Sequence, residues 1–171
     1  MKFISLGLTV LLTAFAGSAL AQTQVSGTLK CGKPDSQKSV EVGDYPGHTL
    51  VIGKGPCNWT APVEIAGLKS TAYSGASAAD VNGAKFQTRG YGVQTMENGD
   101  KVYVRYQHTG SVTEGGKALT YEGTWSYTGG TGKLKGIKGK GTYKGSGAPD
   151  GDSNTQIEGD YTLPAAGATG K

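Results

Sequence analysis

Between Gly129 and Gly147 the chain reads GGTGKLKGIKGKGTYKGSG, and through the second half of that stretch glycine or tyrosine holds every other position, at Gly139, Gly141, Tyr143, Gly145 and Gly147. Successive side chains in a strand point to opposite faces, so Gly139, Gly141 and Tyr143 share one side while Lys138, Lys140, Thr142 and Lys144 share the other. Glycine weakens a strand unless something bulky packs against its bare backbone. The pattern therefore predicts a closed or strongly curved sheet with one wet face and one crowded face.

Turn signals recur at hairpin spacing: Asn82-Gly83, Asn98-Gly99, Gly115-Gly116, Gly129-Gly130, and a loop from Gly145 to Asp152. Upstream, Gln24 to Lys30, His48 to Gly53 and Val63 to Ser70 also read as strands, broken by Gly-, Pro- and Asp-rich segments at 31–35 and 44–47. No stretch carries a convincing helical period, although Ala72 to Val81 has room for one helical turn. The fold class is all-β: an antiparallel meander closed into a barrel of about eight strands, since closure removes edges that invite aggregation. Residues 22–163 form this single domain, with a disulfide-tethered N-terminal part, and 164–171 read as a flexible tail.

A two-residue turn at Asn98-Gly99 sets Val93 opposite Val104, Tyr91 opposite Tyr106 and Arg89 opposite His108. The same rule at Gly115-Gly116 sets Tyr106 opposite Trp125 and His108 opposite Gly123. Carried onward, Tyr121, Trp125 and Tyr127 share a face with Ile137, Gly139, Gly141, Tyr143, Ile157, Gly159 and Tyr161. Thr120, Glu122, Thr124, Ser126, Lys138, Lys140, Glu158 and Asp160 take the opposite face, where Lys140 and Asp160 can pair.

On this register Arg89 and His108 are the strongly polar residues of the inner face, beside Tyr91, Tyr106, Tyr121, Trp125 and Tyr143. Arginine offers a fixed fork of donors and histidine titrates near neutrality, so the group suits a small, partly apolar ligand bearing an anionic or carbonyl function. The alternative is that Arg89 and His108 sit wet and idle at a barrel mouth.

Residues 1–21 have the form of a Sec-type export signal: Lys2, an apolar run from Phe3 to Phe15, and the small-x-small site Ala19-Leu20-Ala21. Cleavage after Ala21 predicts a periplasmic or secreted product with no membrane insertion, and loss of Lys2 lowers the formal charge from +4 to +3. Cys31 and Cys57, the two cysteines of an exported chain, are expected to pair. Five lysines between Lys133 and Lys144 read as a solvated strand face, because the ring of Tyr143 falls on the other side; no nucleic-acid partner is expected.

Other chemistry finds little support. Asp150 to Asn154 opens like a calcium loop, but Thr155 stands where glycine is needed and Tyr161 where a bidentate glutamate belongs. Lys133 is followed by Leu134, not Ser or Thr, so Gly129 to Gly136 is no phosphate loop. No serine lies in a G-x-S-x-G elbow, and two histidines, His48 and His108, are too few for a transition-metal site. No cofactor, metal or catalytic residue is assigned. His48 reads as a turn-flanking surface residue.

The string Gly129-Gly130-Thr131-Gly132-Lys133-Leu134-Lys135-Gly136-Ile137-Lys138-Gly139, followed by a Gly-rich strand and a closing strand at Ile157 to Leu163, resembles the late hairpin of the allene oxide cyclase-like and dirigent-like barrels of the calycin group. That resemblance implies an eight-stranded antiparallel barrel with an interior pocket, in a family that includes plant enzymes steering cyclisation or radical coupling and many exported bacterial members with no assigned activity. The plant catalytic residues do not match positions here, so fold carries over and activity does not.

Three functional readings follow: an exported barrel binding a small ligand without catalysis, a cyclase or isomerase using Arg89, His108 or Tyr106, or a structural or inhibitory protein acting through its lysine-rich face.

Overall fold

A computed structural model describes residues 22–113, 115–148 and 151–164. The expected export signal and the tail beyond Pro164 lie outside the described residues. Ten strands follow in order: β1 (Thr23–Cys31), β2 (Ser36–Glu41), β3 (His48–Ala61), β4 (Glu64–Ile65), β5 (Leu68–Asn82), β6 (Lys85–Met96), β7 (Lys101–Val112), β8 (Leu119–Gly130), β9 (Lys138–Gly147) and β10 (Ser153–Thr162). Neighbours run β3-β1-β10-β9-β8-β7-β6-β5, and β5 pairs back onto β3, closing an eight-stranded antiparallel barrel. β2 pairs with β3 along the edge that β1 leaves, and the short β4 adds to β5.

Two segments depart from the sequence expectation. Val63 to Ser70 is a tight hairpin rather than one strand, turning at Ala66 and Gly67 with φ of 52° and 76°. Both positive φ values suit the mirror-image turn that matches strand twist. Ala72 to Val81 carries no helical turn; it lies within β5, where small side chains face outward and Tyr73, Gly75, Ser77 and Ala79 line the interior.

From β7 onward the register is the expected one. Tyr106 lies opposite Trp125, His108 opposite Gly123, Trp125 opposite Gly141 and Ile157 opposite Tyr143. Lys140 is opposite Asp160 as anticipated, although Asp160 accepts its hydrogen bond from the Gln22 amide. The β6–β7 register differs by one residue. Met96 donates to the Asp100 carbonyl and Gly99 to the Met96 carbonyl, both at 2.9 Å, so the loop is three residues, Glu97 to Gly99, with Gly99 at φ 85°. A three-residue loop closed by a left-handed glycine shifts the pairing, placing Gly90 opposite Tyr106 and Thr88 opposite His108. Arg89, Tyr91 and Val93 therefore face outward.

One end of the barrel is plugged. Val63, Ile65, Met96, Val102, Leu134 and Ile137 are all less than 2 % exposed there, the last two carried in by the 3-10 turn Gly132–Leu134. The Tyr161 hydroxyl accepts a 2.8 Å hydrogen bond from the Ala66 amide and ties β10 to the β4–β5 turn. At the other end β1 leaves β10 after Cys31 and resumes along β3 as β2, so β2 never pairs with β10. Pro34 lies across that gap, close to Gly55 of β3 and to Gly151 of the β9–β10 loop.

The Cys31–Cys57 disulfide forms as expected, joining directly opposed residues of β1 and β3 with Cα atoms 4.1 Å apart. It locks β1 onto β3 at the point where the two strands begin to diverge. Closing a loop of this length restricts the unfolded chain by about 3 kcal/mol. The Cys31→Ala/Cys57→Ala variant is expected to lose about that much stability, read as a lower urea midpoint than the oxidised wild type.

Candidate functional site

The inner wall is built from aromatic rings seated on glycines of the neighbouring strand. A Cβ on Gly92 would lie 2.0 Å from the Tyr73 hydroxyl, one on Gly90 2.4 Å from that of Tyr106, and one on Gly145 2.2 Å from the Tyr121 ring. Trp125 lies over Gly141 and Gly159, and Tyr127 over Gly139. With the wall thinned in this way, the rings lie close to the backbone instead of filling the lumen.

A cavity of about 390 Å³ remains. It runs from Gln94, Val104 and Tyr127 near the plugged end to Pro34, Leu119, Ala148 and Gly151 at the other, within the size range of small-molecule sites. Among the described residues, Lys54 is the one Asp, Glu, Lys or Arg in its lining, and Lys54 belongs to the outer-facing set of β3.

His108 is part of its lining. The imidazole stacks on Tyr121 with centroids 4.8 Å apart and meets Phe86 and Tyr143 edge-on at 5.9 and 5.8 Å. Its Nδ1 is 2.8 Å from the Tyr143 hydroxyl. Burial among these rings lowers the His108 pKa from 6.5 to about 4, so the ring is neutral at physiological pH. A neutral imidazole presents one donor and one acceptor: a Tyr143 O–H donating to Nδ1 leaves Nε2 as the donor. Burial likewise raises the Tyr73, Tyr106 and Tyr143 phenols above their ordinary value. His108 and these three phenols are therefore uncharged at neutral pH.

The remaining polar contacts hold the wall. Tyr121 and Thr155 share a 2.6 Å hydrogen bond between hydroxyls, and Trp125 Nε1 donates to the Glu158 carbonyl at 3.1 Å. At the deep end the Gln94 amide donates to Ser70 Oγ at 2.7 Å, which donates to the Val63 carbonyl at 2.9 Å.

Of the residues singled out from the sequence, Tyr106, His108, Tyr121, Trp125 and Tyr143 come together around this cavity. Arg89 and Tyr91 do not. The three-residue loop turns both outward, and Tyr91 is 65 % exposed. Trp59, Tyr73, Ser77, Gln94 and Thr155 line the cavity without having been anticipated. The signal for Tyr73 lay in Gly90 and Gly92, a glycine alternation like that of β9 which marks the crowded face of β6. His48, expected as a surface residue, is held between two carboxylates, with Nδ1 2.7 Å from Asp44 and Nε2 3.1 Å from Asp80. The Asp44 hydrogen bond raises its pKa first, with Asp80 adding to the effect.

No protein-family model matches the chain, and no curated protein matches it. Among solved structures, the pterocarpan synthase dirigent protein aligns over 85 % of this chain and 87 % of its own, at 12 % identity and a TM-score of 0.40.

Two outcomes follow from the packing. Gly141→Ala places its Cβ 2.0 Å from the Glu158 carbonyl oxygen, a backbone atom, and is expected to destabilise the fold by about 3 kcal/mol in urea unfolding. For His108, the unfolded imidazole takes up its proton near pH 6.5 and the folded one near 4, so the unfolded chain binds more protons between them. Stability contributed at this site is lost as pH falls through that window, by about 3 kcal/mol at the limit. NMR titration is expected to report a His108 pKa of about 4, and His108→Gln to flatten the stability profile between pH 6.5 and 4.

Proposed function

We propose that the chain binds a small, uncharged, partly apolar ligand inside the barrel without transforming it. The carrying observation is the cavity of about 390 Å³, lined by rings and neutral hydrogen-bonding groups with, among the described residues, Lys54 as its single charged residue. Burying an unpaired charge in such a lumen is costly, whereas an uncharged ligand gains from apolar contact and from the hydroxyl, amide and imidazole groups of Tyr106, Gln94 and His108. The anionic ligand considered from the sequence loses its main support, because Arg89 lies on the opposite side of the wall.

The cyclase or isomerase reading rests on one observation, the neutral His108 hydrogen-bonded to Tyr143 within the cavity, since a neutral imidazole can accept a proton. Arg89, the inward cation expected to hold a developing negative charge, faces outward. The lysine-rich face has weaker support, because Lys144 is 3.9 Å from Glu122 and Lys140 is opposite Asp160, so part of its charge is met locally.

Ligand binding is tested by isothermal titration with a panel of neutral aromatic and aliphatic probes, each matched with its carboxylate analogue. Neutral probes are expected to bind and their carboxylates to bind at least tenfold more weakly. Ser77→Trp, which projects a large ring into the lumen, is expected to abolish binding while leaving a folded barrel by circular dichroism. Tight binding that survives Ser77→Trp contradicts the proposal.

A further inference from the structure

The outer surface of the barrel is divided. Val40, Leu50, Ile52, Tyr91, Val93 and Tyr103, all among the exposed large hydrophobic residues, come from β2, β3, β6 and β7. The outer faces of β8, β9 and β10 carry Thr120, Glu122, Thr124, Ser126, Lys138, Lys140, Thr142, Lys144, Glu158 and Asp160 instead.

The register joins the apolar residues into one patch. Val40 is opposite Leu50, Ile52 is opposite Ala78, Ala76 is opposite Tyr91, and Val93 is opposite Tyr103. Along its middle β5 presents only Ser74, Ala76 and Ala78 to the outside. This strand forms the floor of a trough between a ridge of Leu50, Ile52 and Lys54 on β3 and a ridge of Arg89, Tyr91 and Val93 on β6. Ridges one strand to either side stand about 10 Å apart, the width of one extended chain.

The charge on this face is one-sided. Lys38, Lys54, Arg89 and Arg105 surround the trough, and among the described residues none of them makes an ion pair. The carboxylate at its edge, Asp80, is engaged by His48. On the polar half, by contrast, lysines lie near carboxylates. An isologous contact between two copies through this face would set four cations against four, which disfavours a second copy as the occupant.

From this arrangement we propose that the β3–β5–β6 trough docks an extended acidic segment of a partner protein. Apolar side chains of the segment would lie over Ala76 and Ala78 between Ile52 and Tyr91, and its carboxylates would reach Lys38, Lys54, Arg89 and Arg105. The recessed floor favours a single chain over a lipid surface, which would need its apolar contacts to project. This surface lies on the outside of the wall and shares with the cavity lining only Lys54 among the residues named here.

The test is fluorescence anisotropy with a labelled peptide of about eight residues alternating glutamate with leucine, alongside a lysine–leucine peptide and phosphatidylglycerol vesicles. Saturable, salt-sensitive binding of the acidic peptide is expected, weakened at least tenfold in Arg89→Glu/Arg105→Glu and in Ile52→Ser/Tyr91→Ser. On the wild type, amide shifts on peptide addition are expected at Ala76 and Ala78, which keeps the test decisive if either variant fails to fold. Failure of the acidic peptide to bind, equal binding of the lysine peptide, or shifts elsewhere on the barrel overturns the proposal. Preferential binding of the vesicles, or self-association abolished by Ile52→Ser/Tyr91→Ser, overturns it in favour of a lipid surface or a second copy.

Discussion

Aromatic rings laid against glycine backbone give this barrel its interior. Each glycine removes a side chain where a ring from the adjacent strand must lie, as Gly92 does for Tyr73, Gly90 for Tyr106 and Gly145 for Tyr121. A Cβ at any of these positions would come within about 2.5 Å of the ring, and the ring could move only by swinging into the lumen. The glycines therefore determine both closure and hollowness. They let large rings cover the wall while leaving space between opposite sides.

The same arrangement governs the chemistry of the lumen. Rings packed around His108 exclude water, and exclusion of water holds the imidazole neutral. The Tyr143 hydroxyl satisfies one ring nitrogen without adding charge. Under the proposed function, a ligand in such an interior would be recognised through shape and neutral hydrogen bonds, and burying an unpaired ion there would be costly. Outside the wall the distribution is reversed: Lys54, Arg89 and exposed apolar groups sit together over β3, β5 and β6.

Much of this was readable from the sequence, and the failures have physical causes. The alternation in β9 identified the crowded face, and propagating it through β8, β9 and β10 placed Tyr121, Trp125 and Tyr143 correctly. A single turn broke the chain of inference upstream. Asn98-Gly99 suits a two-residue hairpin, but Glu97 joins it in a three-residue loop, and one residue inverts every side chain of β6. Arg89 was therefore placed inside when it lies outside. Gly90 and Gly92 held the opposite indication, because glycine at alternate positions marks the face that receives rings. The one helical turn for which Ala72 to Val81 has room does not form for a different reason: the alanines and serines there are compatible with helix locally, and only pairing with β3 and β6 on both sides makes the segment a strand. The excursion of the chain at 32–35, which separates β1 from β2, has no local signature beyond its Gly and Pro.

The central claim, that rings seated on glycines enclose an apolar space, is tested most directly by dissolved xenon. Xenon enters apolar cavities without needing hydrogen bonds or charge. Carbon-resolved NMR under xenon pressure is predicted to shift the methyl groups of Leu29, Val51, Val104 and Ile157, which line the cavity, and to leave those of the plug residues Ile65 and Leu134 unmoved. Unchanged spectra at the lining methyls would contradict the account, because they would mean that the rings fill the barrel.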